Sequence, residues 1–342
     1  MHVPDGFING ATSASAAVAA AGGVGMALRQ VRQRLLEQSL ALAGLVAAFV
    51  FAAQMVNFPV VAGTSGHLIG AALAAILVGP SAAIVVMSSV LVVQSLLFAD
   101  GGLTALGINL LNMAVLAPLA AWLLFRIIVA VAGGRRSAVI PATALAAWAS
   151  VVVASIGFTV QYAVGGHGDA PIATVLAAMV GIHSLIGIGE AVITVMVVRA
   201  VLTTRPDLVR EARGTDDRVG PTSRQAVGLR VGVAGMVAAL VVAAGVSQFS
   251  SGAPDGLERV AIDNGFAETG VEHTLSDRAL ADYGDGFEDE AAGTAASGLV
   301  GTVAVLGIAM GGLWAATRLL RRTRAELRTV VDDRRGQAEA EA

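Results

Sequence analysis

The chain has 342 residues, 56% of them hydrophobic and 14% charged, with a mean hydropathy of +0.75. Soluble domains carry about 25% charged residues, so this much apolar surface needs a lipid solvent, and the balance of 22 basic against 25 acidic residues leaves no electrostatic footprint for nucleic acid. Cys is absent, which excludes disulfides, zinc ribbons, iron–sulfur clusters and thiol nucleophiles.

All 22 basic residues are Arg. Without Lys the chain can form neither a P-loop nor a Schiff base. It is expected to be a non-enzymatic membrane protein whose ATP, if any is used, is hydrolysed on another chain.

The chain opens with Met1-His2. A terminal amine, the amide of residue 2 and imidazole Nδ1 of residue 2 can wrap one metal ion in a five- and a six-membered chelate ring. Those donors are nearly coplanar and leave one in-plane position open. Nitrogen-rich square-planar geometry favours Ni(II) or Cu(II) and is open to Co(II), whereas Zn(II) prefers a tetrahedron. Residues Met1–Gly6 contain no basic n-region, so no cleaved signal peptide is expected, and a bulky second residue favours retention of Met1.

Apolar stretches long enough for helices follow near 7–28, 36–55, 68–79, 81–98, 107–132, 141–163, 172–199, 228–247 and 297–317. The third is short and ends at Gly79-Pro80, so 68–98 can also be a broken or re-entrant hairpin. The first is rich in small residues from Gly10 to Gly25, a surface for close helix packing, inside the chain or against a partner. The expected architecture is an all-α polytopic membrane protein of about nine transmembrane helices. With the N-terminus outside, 20 Arg fall inside or at the inner helix ends and only Arg259 and Arg278 outside, which the positive-inside rule favours.

Composition divides the chain into a seven-helix core over 1–204, a polar cytoplasmic linker over 205–227 and a two-helix unit over 228–342. The last encloses an outer loop, 248–296, with 11 acidic residues and two Arg, a net charge of −9.

Four further histidines follow His2. His67 ends the loop NFPVVAGTSGH, near the outer face in this topology, as is His2. Sequence spacing alone does not bring the two together. A ligating imidazole usually donates its other N–H to a carboxylate or carbonyl, for which Asp5 is near in sequence, although Asp5 could simply cap the first helix. Asn57, Thr64 and Ser65 can bond the site or close its loop. His183 and Glu190, seven residues apart on one helix face, are intramembrane ionisable groups, and can form a structural pair or part of a metal path or coupling device. His167 and His273 read as solvent-facing.

The segments MHVPDGF, NFPVVAGTSGHLIG, DGGLTALGINLLNM and HSLIGIGEAVIT together resemble the cobalt/nickel substrate-binding component of energy-coupling factor (ECF) transporters, the CbiM/NikM family. The resemblance covers about the first 200 residues. The later PDGLE, Pro254 to Glu258, is similar to a small auxiliary component sometimes fused to it. The resemblance implies a planar Ni(II) or Co(II) site on Met1, His2 and His67, with the ion as transported substrate and no organic cofactor. It also implies a transmembrane coupling (T) component, two cytoplasmic ATPase (A) subunits, and residence in a bacterial or archaeal cytoplasmic membrane. These residues do not decide nickel against cobalt. Two other readings stay open: a proton-coupled carrier relaying through Glu190 and His183, and an intramembrane serine protease using Ser65 of the Gly63-Thr64-Ser65-Gly66 pattern with His183 as base.

Overall fold

Each of the nine apolar stretches forms a helix. The computed structural model describes residues 1–34, 37–61, 63–205, 221–284 and 287–340, with the side chains of 32–39, 221–229, 231 and 317–340 outside the description. Helices α1 (Gly10–Arg34) and α2 (Glu37–Gln54) come first, then a two-residue antiparallel pair, β1 (Phe58–Pro59) and β2 (Ser65–Gly66). Next are α3 (Ala71–Val78), α4 (Pro80–Leu97), α5 (Leu106–Asn109), α6 (Ala117–Val131), α7 (Val139–Gly165) and α8 (Ile172–Thr204). The remainder holds α9 (Pro221–Ala244), the short α10 (Gly256–Asp263) and α11 (Glu290–Ala340).

Among the described residues, seven helices are long and apolar enough to cross a bilayer. The apolar part of α2, Leu40–Gln54, is shorter, and α3 has only 8 residues. Residues 71–77 of α3 are all buried, so it is a half-helix inside the protein. Gly79 (φ 85°) ends it, and Pro80 starts α4 at a position where a missing N–H costs nothing. That is the break expected in 68–98. Elsewhere the helices turn apolar side chains outward, such as Leu119, Leu123 and Ile127 on α6, and Ile188, Val192 and Met196 on α8. A multi-pass membrane protein presents such a surface to lipid.

The stretch expected as one helix over 107–132 has a π-helical turn at Leu110–Leu116 joining α5 to α6. Pro118 lacks the N–H that would continue the ladder, and a wide turn is one response. It carries Asn112, whose amide pairs reciprocally with Gln161 of α7 at 2.8 and 2.9 Å.

Helix α1 is capped by Asn9, whose Oδ1 accepts from Thr12 N at 2.9 Å. Asp5 has another task, described below. The small residues of α1 serve internal packing in part, since a Cβ on Gly107 of α5 would press on Ala17, while Val18 and Met26 are exposed.

Helices α9 and α11 pack against each other and against α2, where Gly44 admits Met310 and Gly235 admits Leu45. Most of the expected linker, 206–220, lies outside the described residues. Its last seven positions belong to α9, which begins at Pro221. The segment between α9 and α11 folds over the N-terminal residues.

Candidate metal centre

The first nine residues form a buried strap between helix ends. Met1 and Val3 are 5% and 1% exposed, and every turn of the strap is bonded. Val3 exchanges two hydrogen bonds with the Asn109 side chain, 2.8 and 3.1 Å, and accepts from Gly102 N at 2.9 Å. The Asp5 carboxylate accepts from Leu103 N, Thr104 N and Thr104 Oγ1, so Asp5 fixes the strap to the DGG turn and is neither a partner of His2 nor a cap. His167, expected to face solvent, is exposed but holds the Gly6 carbonyl through Nδ1 at 2.7 Å. Gly102 is required there because a Cβ would enter the backbone of Asp5.

The strap delivers the Met1 amine to 3.0 Å from His67 Nε2. His67 follows β2, and the chain just beyond it is gripped by Glu190 of α8. The two Glu190 oxygens accept from Ile69 N (2.6 Å) and Gly70 N (2.8 Å), and Gln54 Nε2 donates to Ile69 O at 2.7 Å. His67 Nδ1 lies 3.1 Å from Leu68 O, which places the ring proton on Nδ1 and the lone pair on Nε2. The His2 ring stands edge-on to that of His67, centroids 5.2 Å apart. Its Nδ1 faces Asp100 Oδ1 at 3.1 Å, so closing the six-membered chelate ring requires the imidazole to turn from Asp100.

Two carboxylates that sequence reasoning did not select complete the centre. Asp255, from the PDGLE motif, forms an ion pair with the Met1 amine while its Oδ1 caps α10 through Leu257 N and Glu258 N. Asp100 bridges His2 and the Tyr283 hydroxyl, 2.5 Å away. Asp255 lies within the PDGLE segment, but nothing in the spacing linked it to Met1.

Ser65 belongs to this docking: its N–H donates to Pro254 O (2.9 Å) and its hydroxyl to Ala253 O (2.7 Å). Asn57 binds the same segment, donating to Ser250 Oγ at 2.8 Å and accepting from Ser251 N at 2.8 Å. Thr64 closes its own turn, donating to Val61 O and accepting from Val60 N. These three residues therefore shape and cover the loop that carries His67. His183 Nδ1 bonds Met179 O on its own helix, and Glu190 bonds backbone, so the two are not paired with each other.

Burial pushes the His67 imidazole down to about 3, with the amine and His2 adding to the effect. Burial also lowers His2, although Asp100 pulls it back. Burial by itself would raise the Asp255 carboxyl, but the Met1 ammonium and His67 hold it well below the usual carboxylate range. A base whose folded value is depressed leaves stability intact above its free value of 6.5 and erodes it as pH falls toward 3. Thermal melts of His67→Gln against the parent chain between pH 7 and pH 4 are expected to show less acid destabilisation in the variant; equal acid sensitivity would contradict a buried neutral His67.

Residues 2–208 match the family described as the cobalt uptake substrate-specific transmembrane region, CbiM, and residues 229–318 match the PDGLE domain. The chain belongs to the CbiM family. It is 31% identical over 309 residues, 90% of this chain and 96% of the other, to a putative fused nickel transport protein NikMN of Archaeoglobus fulgidus. It is 30% identical over 342 residues to a cobalt transport protein CbiM of Geobacter sulfurreducens, covering 97% of this chain and 92% of the other. The crystal structure of a truncated transition metal transporter superposes with a TM-score of 0.54 at 28% identity, covering 59% of this chain and 99% of that one. In this CbiM-family chain the PDGLE domain is fused behind the CbiM region, and its Asp255 meets the opening residues of that region directly.

Proposed function

We propose that this chain is the substrate-capture subunit of an ECF-type importer for Ni(II) or Co(II), binding the ion in a planar site of the Met1 amine, the His2 amide, His2 Nδ1 and His67 Nε2. The observation that carries this is the Met1 amine lying 3.0 Å from His67 Nε2 with the His2 ring alongside. On binding, the ion displaces the amine proton and the amide proton, and the two carboxylates beside the donors balance its charge. Orientation with Met1 outside is supported by the distribution of Arg. The absence of Lys places any P-loop ATPase on another chain, and the resemblance to ECF substrate-binding components supports two cytoplasmic ATPase subunits acting through a separate transmembrane coupling component.

The alternatives fit less well. A proton relay between His183 and Glu190 would need them to be linked, and they are not: both Glu190 oxygens accept from backbone and His183 Nδ1 is held by Met179 O. The Ser65 hydroxyl is bonded to a carbonyl rather than to a histidine.

The test is metal analysis of the full chain purified with Met1 as its free N-terminus, against His67→Ala. The parent is expected to retain one Ni(II) or Co(II), and the variant to bind more than about 100-fold more weakly, beyond the loss of an outer partner. Equal retention would overturn the site.

A further inference from the structure

The planar site leaves one buried imidazole unused. Behind the Met1 amine and His67 lies a small cavity of about 10 Å³, onto which His183 and Asp255 also open. His183 is 1% exposed and sits a third of the way along the 33-residue α8. Its Nδ1 lies 2.8 Å from Met179 O, so the proton is on Nδ1 and the lone pair on Nε2. That Nε2 is buried and has no hydrogen-bond partner. His67, which also lines the cavity, has its Nδ1 held by a carbonyl and its Nε2 against the Met1 amine. Two imidazoles fixed in the tautomer that ligates metal thus share one small chamber with a carboxylate.

The chain also keeps that chamber open. Gly256 follows Asp255, and a Cβ there would come within 2.6 Å of Ile186, 2.9 Å of Ile182 and 3.1 Å of His183 Cε1. A side chain at this position would crowd the imidazole edge.

We propose that His183 Nε2 is a second binding position for the transported ion, adjacent to the planar site, which takes Ni(II) or Co(II) as the chelate releases it. This rests on the planar-site reading above. Imidazole nitrogen suits both ions, and Asp255 supplies an oxygen donor in the same chamber. Stepwise exchange of His67 for His183 keeps the ion ligated throughout, so it is never bare in an apolar interior.

The experiment is a Ni(II) and Co(II) titration of the full chain with a free Met1, compared with His183→Ala and His183→Asn. The parent is expected to take a tight equivalent with the absorption of square-planar nickel, then a weaker, non-planar one. Both variants are expected to keep the planar band, which also reports correct folding, and to lose the second equivalent by at least 10-fold in affinity. A parent that binds one equivalent only, with water alone satisfying Nε2, overturns the proposal. So does a second equivalent that persists in both variants, or a planar band lost in both. Failure of the planar-site reading looks different: the parent shows no planar band at all, while a histidine-dependent weak equivalent can remain.

Discussion

Adding a single residue ahead of Met1 is expected to abolish high-affinity nickel or cobalt binding. The extension turns the amine into a peptide nitrogen, which must lose a proton before it can ligate, and moves the new amine about 3.8 Å further along the chain, away from its place 3.0 Å from His67 Nε2. The strap cannot slide to compensate. Val3 is held by Asn109 and Gly102, Asp5 by Leu103 and Thr104, and Met1 is 5% exposed against a chamber of about 10 Å³. The added residue also removes the cation that Asp255 pairs with. Affinity should fall about 1000-fold or more, equivalent to about 4 kcal/mol, read by equilibrium dialysis and metal analysis of the extended and native chains. Undiminished binding by the extended chain that still depends on His67 would eliminate the terminal chelate.

Removing Glu190 is expected to be nearly as damaging, through His67. Glu190→Ala leaves Ile69 N–H and Gly70 N–H without acceptors in a fully buried position, at about 1–3 kcal/mol each. The segment they fix is the one that leads from His67 into α3, and Gly70 there adopts φ 79°. Glu190→Gln retains one acceptor and should cost about half as much. The expected result is graded: weakened metal binding in the Gln variant, and little folded protein in the Ala variant. A proton relay predicts another ranking, in which Gln and Ala both stop uptake while equilibrium metal binding stays normal.

Much of the helix inventory was legible because it depends on local composition. The apolar stretches near 141–163 and 172–199 lie within α7 and α8, and even the break at Gly79-Pro80 could be read from residues that cannot continue a helix. The π turn at 110–116 was not, because the register of a ladder depends on Pro118 and on the Asn112–Gln161 pair, which is tertiary. At the candidate site, His2 and His67 could be singled out because histidine is rare in an apolar chain, and the fold sets their rings 5.2 Å apart. Asp255 was missed for the opposite reason, since acidic residues are frequent in 248–296 and only folding distinguishes the one that meets Met1, and Asp100 because its contact with His2 is tertiary. Asp5, which the sequence left open between a partner of His2 and a cap of α1, instead accepts from the backbone donors of the DGG turn, Leu103 and Thr104, a contact that only the tertiary fold creates.

The pairing of Met1 with Asp255 spans 254 residues, and it orders events during synthesis. Translation at about 5–20 residues per second leaves roughly 13–50 s between the emergence of the first donor and that of the carboxylate that meets it. Throughout that interval the opening residues have neither Ser65's grip on Pro254 nor the Val271–Asp5 bond to hold them. The earliest part of the chain to be made is therefore among the last to reach its final contacts, and a ribosome halted before the PDGLE motif would release a protein with most of its helices and an unfinished cradle.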